Sequence, residues 1–137
     1  MNAAEVEALL GETRLGILTT LRADGFPVSV PVWFEWDGER ARCFTTVTSA
    51  KVGRLRRDAR ASLLVARNAG EPEGWVALEG EVSIREEGAI ELAERLAQRY
   101  WDLADTDHRA TVERWRRQSG HLRLLELAPG EIRSYHD

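Results

Sequence analysis

A short segment around Lys51, the only lysine of the chain, combines residue types that can bind an anion. It follows a strand-like run, and Thr48 or Ser49 can cap a helix that runs to about Asp58. Backbone N–H groups at a helix start lack partners within the helix, and the helix dipole adds partial positive charge there. The hydroxyls of Thr45, Thr48 and Ser49 add donors, and the lysine adds a full charge. The spacing therefore predicts a phosphate or carboxylate site.

The same segment also has a purely structural interpretation. A serine or threonine before a helix is an ordinary cap, and basic residues on a short helix are commonly solvated. Lys51 would also oppose the dipole in the first turn of the helix, unless an anion compensates. From the residues alone, both interpretations stay open.

The length and composition predict one domain over residues 1–137. No apolar run approaches the ~18 to 20 residues that span a membrane, so we expect no membrane partner. The first residues are acidic and amphipathic, a pattern typical of neither a signal peptide nor a transit peptide. Cys43 is the only cysteine, and it permits no intramolecular disulfide. These features favour a cytoplasmic location.

The charge pattern excludes several function classes. A net charge of −4 argues against nucleic acid as the partner, because phosphate neutralisation needs a basic surface. The three histidines lie in separate segments, so no metal site is expected. No acid–base pair or nucleophile has convincing spacing, and no catalytic residue is assigned. Cys43 is interpreted as a small core residue rather than a nucleophile.

Alternating apolar residues predict the sheet that must position this segment. In the run 27–36, Val28, Val30 and Val32 share one face, and Asp37-Gly38 is a hairpin signal. Pro31 lacks an N–H, which indicates an edge or a bulge. Helices are predicted over 3–12, 88–103 and about 107–118. Strands are predicted over 15–21, 27–36, 40–46, 61–66, 75–85, 121–127 and 131–135. Six or seven strands with a few helices are typical of a mainly β (α+β) antiparallel barrel.

The stretch LGILTTLRADGFPVSVPVWFEWDGERARCFTTVTSAKVGRLRRDARASLLV resembles the flavin-binding split-barrel superfamily typified by pyridoxamine 5′-phosphate oxidase. It is most similar to the small actinobacterial branch that includes deazaflavin (F420)-dependent reductases. The motifs are TTLRADGFPVSVPVWF, FTT…SAK and LRRDARASLLV, and the resemblance covers residues 12–86 well. It implies a six-stranded antiparallel split β-barrel with flanking helices. It also implies a homodimer with two cofactor sites at the interface.

The resemblance implies FMN or F420 as the cofactor and places its contacts by position. The phosphate would be held by Thr45, Ser49 and Lys51. Val32 and Trp33 would line the ring, although dimer packing is the alternative for Trp33. Arg54 and Arg57 would meet an anionic tail, with a solvated helix face as the alternative. The helix 88–103 and the Trp115 segment would shape the entrance. The full set of implied cofactor-binding residues is Val32, Trp33, Thr45, Thr46, Ser49, Ala50, Lys51 and Arg57.

The sequence departs from the oxidase pattern at three cationic positions. The oxidases have an arginine between the serine and the lysine, where this chain has Ala50. An ungapped alignment places Ser29 and Phe34 where they have an arginine and a lysine. We therefore expect an FMN- or F420-dependent oxidoreductase that transfers hydride to or from a small organic substrate other than pyridoxamine phosphate. The alternatives are a non-catalytic split barrel that binds a flavin, haem or tetrapyrrole, and a dimer with a vestigial pocket.

Overall fold

The computed structural model describes all 137 residues, with seven strands in one antiparallel sheet, one α-helix before the first strand and three in the connections. The strands are β1 (Gly16–Leu21), β2 (Pro27–Val32), β3 (Glu35–Trp36), β4 (Ala41–Thr46), β5 (Arg60–Ala66), β6 (Gly74–Arg85) and β7 (Leu122–His136). The helices are α1 (Ala3–Gly11), α2 (Ala50–Arg57), α3 (Ala89–Tyr100) and α4 (Thr106–Arg117). The order in the sheet is β2-β1-β5-β6-β7-β4-β3. The predicted mainly β (α+β) class is confirmed.

The structure has seven strands where the resemblance implied six, and the predicted strand 27–36 is divided in two. β2 pairs with β1, whereas β3 pairs with β4 at the opposite edge of the sheet. Only Trp33 and Phe34 separate β2 from β3, so this link brings the two edges together and curves the sheet into a half-barrel. Pro31 lies on the edge strand β2, where a missing N–H is tolerated.

At the other end of the chain, two predicted strands are one. β7 begins at Leu122 and continues through both predicted strands, 121–127 and 131–135, and it pairs with β6 from Leu124 to His136. The register shifts between Glu79 and Gly80, opposite Pro129. A Cβ on Gly80 would lie 2.1 Å from the carbonyl oxygen of Ala128, so only glycine permits this close approach.

Two apolar clusters hold the helices on the sheet. Inside the half-barrel, Leu9 and Leu10 of α1 and Leu55 of α2 pack with Phe34 and the inward residues of the strands. On the outer side of β4 and β7, α3 buries a second cluster. Its fully buried members are Ala89, Leu92, Ala93, Leu96, Leu122 and Leu124. This outer cluster fixes α3 beside the segment that precedes α2.

The helix α4 is held far less firmly than α3. Val112 is its only buried residue, and Arg116 forms an ion pair of 2.6 Å with Glu94 of α3. Asp105 caps its first turn by accepting the N–H bonds of Asp107 and His108. None of the helices has the length and apolar character required to span a lipid bilayer.

Candidate functional site

A cleft of about 390 Å³ opens between the edge strand β2, the outer side of β4, the start of α2 and the α3–α4 segment. Its size falls within the range of small-molecule sites. Lys51 is the only charged residue at its surface, and the remaining lining is apolar or aromatic. The lining residues are Leu15, Pro31, Val32, Trp33, Phe44, Lys51, Trp101 and Trp115.

The start of α2 offers unsatisfied donors next to Lys51. Lys51 is half-buried and forms neither an ion pair nor a side-chain hydrogen bond. The N–H of Val52 donates to the Ser49 carbonyl at 3.2 Å, whereas the N–H groups of Ala50 and Lys51 have no acceptor. The side chain of Ser49 does not cap the helix. A cation and two free amides at a helix start fit an anionic group.

None of the predicted hydroxyl residues, Ser49 included, is among the residues that line this cleft. Thr45 is 9% exposed and lies on the inner face of β4, opposite Phe44. Its Oγ1 donates a hydrogen bond of 2.9 Å to Ser49 Oγ, so Thr45 supports Ser49 from behind. Thr46 and Ala50 are exposed and outside the lining.

The two arginines predicted to meet an anionic tail lie away from the cleft. Arg57 is exposed in the last turn of α2, six residues beyond Lys51 and therefore about 9 Å along the helix axis. Arg54 donates through Nε to the buried hydroxyl of Thr20 at 2.7 Å. The structure thus gives Arg54 a role within the fold.

Both residues predicted to line the cofactor ring, Val32 and Trp33, line the cleft. Trp33 stacks on Tyr100 with a centroid distance of 5.2 Å and an interplanar angle of 1°. The hydroxyl of Tyr100 donates to the Arg14 carbonyl at 2.6 Å, which fixes the ring that supports Trp33.

Sequence reasoning missed Leu15 and Phe44 as lining residues, whereas Trp101 lies in the helix 88–103 that was predicted to shape the entrance. The five tryptophans in the chain were a signal of an aromatic site. However, no pattern along the sequence shows that α3 and α4 lie beside β4. The Trp115 segment was predicted to shape the entrance, and Trp115 lines the cleft.

Other reactive side chains lie elsewhere. Cys43 is buried, and burial raises the pKa of its thiol to about 12, so it stays protonated and is a core residue as predicted. Tyr135 stacks on Trp75 on the outer face of the sheet, and His121 is exposed. Neither lines the cleft, and no catalytic residue is assigned.

A buried carboxylate outside the cleft organises three arginines. Glu126 on β7 is 3% exposed and accepts bonds of 2.7 Å from Arg40 Nη1 and Arg42 Nε. Arg85 is its third partner. Burial alone would raise the pKa of the Glu126 carboxyl. The hydrogen bonds from Arg40 and Arg42 lower it, and their effect is the larger, so this pKa lies below its ordinary value. This cluster joins β4, β6 and β7 on the outer side of the sheet, away from the residues that line the cleft.

Comparison with known proteins places the chain in a family. The family model of pyridoxamine 5′-phosphate oxidase matches residues 3–136. An F420H2-dependent biliverdin reductase from Mycobacterium tuberculosis (strain CDC 1551 / Oshkosh) is 36% identical over 126 residues, covering 88% of this chain and 89% of the relative.

Two solved structures agree in fold. One, named F420 reductase, has 23% identity and a TM-score of 0.74, covering 93% of this chain and 94% of the other. A conserved hypothetical protein from Mycobacterium tuberculosis has 24% identity and a TM-score of 0.79, covering 99% and 85%. At this identity the likeness establishes the fold alone. Together with the family match, it confirms the resemblance seen in the sequence: the chain belongs to the pyridoxamine 5′-phosphate oxidase family.

Proposed function

We propose that the protein is an oxidoreductase that binds FMN or F420 in the cleft and transfers hydride between this cofactor and a small organic substrate. The observation that carries the proposal is Lys51, a half-buried cation without a carboxylate partner, beside two unpaired amides at an aromatic cleft. That arrangement fits a molecule with an anionic group joined to a flat ring system, as both cofactors are. When bound, the cofactor supplies the hydride chemistry, and the chain binds it, orients it and limits water.

The roles of the individual residues follow from their positions. Lys51, the amides of Ala50 and Lys51, and the Ser49 hydroxyl would hold the phosphate, with Thr45 supporting Ser49 and Thr46 adjoining the turn. Val32 and Trp33 would lie against the ring. Arg57 would take part only if the tail of the cofactor follows the exposed side of α2.

The relatives favour reduction with F420. A protein 36% identical over most of both chains is an F420H2-dependent biliverdin reductase, so biliverdin is the first substrate to test. FMN stays in the proposal because the family match is to pyridoxamine 5′-phosphate oxidase. Ala50, Ser29 and Phe34 carry no charge at positions where that oxidase pattern has cations, which argues against pyridoxamine phosphate as the substrate.

We also propose a homodimer whose partner covers the open side of the cleft. On the outer face of the sheet, Leu64 and Tyr135 are 37% and 44% exposed. Another cleft of about 430 Å³, whose lining is half apolar and half polar, includes Leu64 and shares Leu15 with the first, so the two clefts adjoin. Uncovered apolar surface of this kind supports a protein interface. A single domain over residues 1–137 and a cytoplasmic location remain predictions made from the sequence.

Light scattering tests the dimer. Leu64→Arg places a charge on the outer face and should yield monomers, whereas Gln98→Arg adds the same charge on α3 and should not. A monomeric wild type at micromolar concentration contradicts the dimer.

A cofactor titration followed by turnover tests the function. Purified protein is titrated with FMN and F420 by calorimetry, and the reoxidation of reduced F420 by biliverdin is then followed anaerobically. Saturable binding at micromolar levels with accelerated reoxidation is the expected result. Binding without acceleration favours the non-catalytic alternative, and no binding of either cofactor contradicts the proposal.

A further inference from the structure

The two helices beside the cleft differ in how they are attached to the rest of the molecule. α3 buries five residues, and its polar side chains also reach distant parts of the chain. Arg95 donates two hydrogen bonds to the carboxylate of Glu35, at 2.8 and 3.1 Å. Arg99 donates to the carbonyl groups of Gly11 and Glu12, at the end of α1. α3 therefore belongs to the same rigid body as the half-barrel.

Residues 101–118, which we call the α4 segment, are joined closely to one another. The Trp101 ring stacks on His108 at a centroid distance of 4.2 Å and on Trp115 at 5.7 Å. The side chain of Asp105 caps α4 by accepting the N–H bonds of Asp107 and His108. These contacts lie within the segment, so they persist if the segment moves as one body.

Few contacts join the α4 segment to the rest of the molecule. Val112 is the only buried residue of α4, and Arg116 pairs with Glu94 of α3 at 2.6 Å. The two tryptophan rings of the segment pack edge-to-face on Phe44 and Trp33, at 5.1 and 4.7 Å. An exposed ion pair contributes little stability, and the apolar area buried by these contacts is small. The α4 segment should therefore open at a lower free energy than α3.

Both ends of the α4 segment are points where the backbone can rotate. At its start, Trp101 has an extended backbone and directly follows Tyr100, whose hydroxyl is bonded to the Arg14 carbonyl. At its end, a single 3₁₀ turn contains Gly120, and a Cβ there would meet no atom within 4 Å. A few such residues at the ends of an element are enough to form hinges.

The cleft has room for one ligand, whereas the proposed reaction uses two. A volume of about 390 Å³ is that of a site for a single small molecule, and hydride transfer requires the cofactor and the substrate in contact. The walls formed by β2 and β4 belong to the sheet. The wall formed by Trp101 and Trp115 belongs to the α4 segment, so it is the wall that can move.

We propose that the α4 segment is a lid, which swings outward on its two hinges, admits the second reactant beside the bound cofactor, and closes over both. Opening separates its tryptophans from Trp33 and Phe44 and breaks the ion pair between Arg116 and Glu94, which acts as the latch. Closing excludes water from the reacting groups. The inference rests on the proposed function in naming what enters, whereas the opening itself is a property of the cofactor-free chain.

Hydrogen exchange measured by mass spectrometry tests the opening in cofactor-free protein. After correction for intrinsic rates, amides 110–118 of the α4 segment should exchange through one common opening. Their exchange should be at least about ten-fold faster than that of amides 93–100 of α3. Equal protection of the two helices overturns the inference. Exchange that is graded from the ends of α4, without a common rate, also overturns it.

Substitutions on the two helices test the latch. Glu94→Gln and Arg116→Gln each break the ion pair and should speed the exchange of α4 by about two- to five-fold. The double variant should be no faster than the faster single variant, because both changes act on one pair. Arg109→Gln removes a charge from an exposed position of α4 and is the matched control. Wild-type exchange rates in both single variants contradict the latch.

A cross-link between the two helices tests the role of the lid in turnover. Glu94→Cys and Arg116→Cys, joined by a short bis-maleimide, hold α4 on α3, and the buried thiol of Cys43 does not react. The Kd of the cofactor should change less than about two-fold, and the reoxidation of reduced F420 by biliverdin should slow by about ten-fold or more. The same double variant without the cross-linker is the control. Undiminished turnover in the cross-linked protein overturns the lid.

The outcomes separate this inference from the proposed function. If the protein binds neither FMN nor F420, but α4 exchanges through one opening that the latch controls, the proposed function fails and the lid stands. If cofactor binding and turnover are found while α4 is as protected as α3, the lid fails and the proposed function stands.

Discussion

Thr45 Oγ1 donates a hydrogen bond of 2.9 Å to Ser49 Oγ, which joins the inner face of β4 to the residue that begins α2. A hydroxyl group has one hydrogen to donate and two lone pairs. Because Ser49 accepts from Thr45, its own hydrogen is free to point away from β4. The bond therefore prepares Ser49 as a donor at the site of the proposed phosphate.

This relationship predicts a graded effect of two substitutions on cofactor affinity. Ser49→Ala removes one bond to a charged group and should weaken binding by ~1.5 kcal/mol or more, about ten-fold. Thr45→Val leaves the Ser49 hydroxyl present but unsupported, so its effect should be smaller. Thr46→Val changes an exposed residue of the same turn and is the matched control. Calorimetric titration with FMN and F420 measures the Kd of all three variants. If Thr46→Val weakens binding as much as Ser49→Ala, the assignment of Ser49 to the phosphate is contradicted.

Lys51→Met should weaken cofactor binding by ~1.5 to 3 kcal/mol, because it removes a charge-assisted phosphate contact while keeping much of the side-chain volume. The salt dependence of the Kd should fall with it. Arg56→Met removes a charge from the exposed side of the same helix and should leave the Kd nearly unchanged. Equal affinities of wild type and Lys51→Met would exclude Lys51 from phosphate binding.

Glu126→Gln should destabilise the fold by about 1 to 3 kcal/mol at pH 7, measured by urea unfolding. The substitution leaves three arginines without their buried carboxylate, and the cost is moderated because Arg40 and Arg85 are half exposed. Glu79→Gln breaks an exposed ion pair with Arg133 and should change the free energy of unfolding by less than ~1 kcal/mol.

The comparison of the wild type with Glu126→Gln also predicts how the free energy of unfolding depends on pH. The arginines hold the pKa of Glu126 below its ordinary value of 4.5, so the folded state favours the charged form. The stabilisation is therefore complete above pH 4.5 and declines as the pH falls through the lower pKa of the folded state. The gap in unfolding free energy between wild type and Glu126→Gln should shrink in that acidic range. A gap that widens on acidification contradicts the assignment.

Tyr100→Phe should lower the free energy of unfolding by about 1 kcal/mol, because the Arg14 carbonyl loses its 2.6 Å hydrogen bond. Tyr135→Phe removes an exposed hydroxyl that bonds Asp137, and should stay within ~0.5 kcal/mol of the wild type. Urea unfolding monitored by circular dichroism compares the two. Equal costs would show that the Tyr100 hydroxyl does not anchor the ring beneath Trp33.

Most of the fold was predictable because its signals are local. Alternation identified the strands, and helical spacing located α3 to within one residue at its start and three at its end. The division of 27–36 into β2 and β3 was not predictable, because it depends on the strand with which each half pairs, at opposite edges of the sheet. Likewise, Gly80 and Pro129 are far apart in the chain, and their pairing makes β7 continuous.

The site was predictable only where its residues share one segment. Lys51 follows from the strand-to-helix turn, and Val32 and Trp33 from the family pattern, and these three residues line the cleft. Thr45 was placed in the right segment but faces the interior, because a residue before a turn can point to either side of the sheet. Trp101 reaches the cleft through the packing of α3 on β4, a contact between distant segments.

The pairing of β4 has a consequence for synthesis on the ribosome. β4 bonds to the two-residue β3 and to β7, and β7 begins at Leu122, beyond every residue that lines the cleft. While the chain is emerging, Phe44 and the turn before Lys51 therefore have almost no sheet to hold them. We therefore expect the ligand site to form only after β7 has emerged, and nascent chains stalled before Leu122 should be unable to retain a cofactor.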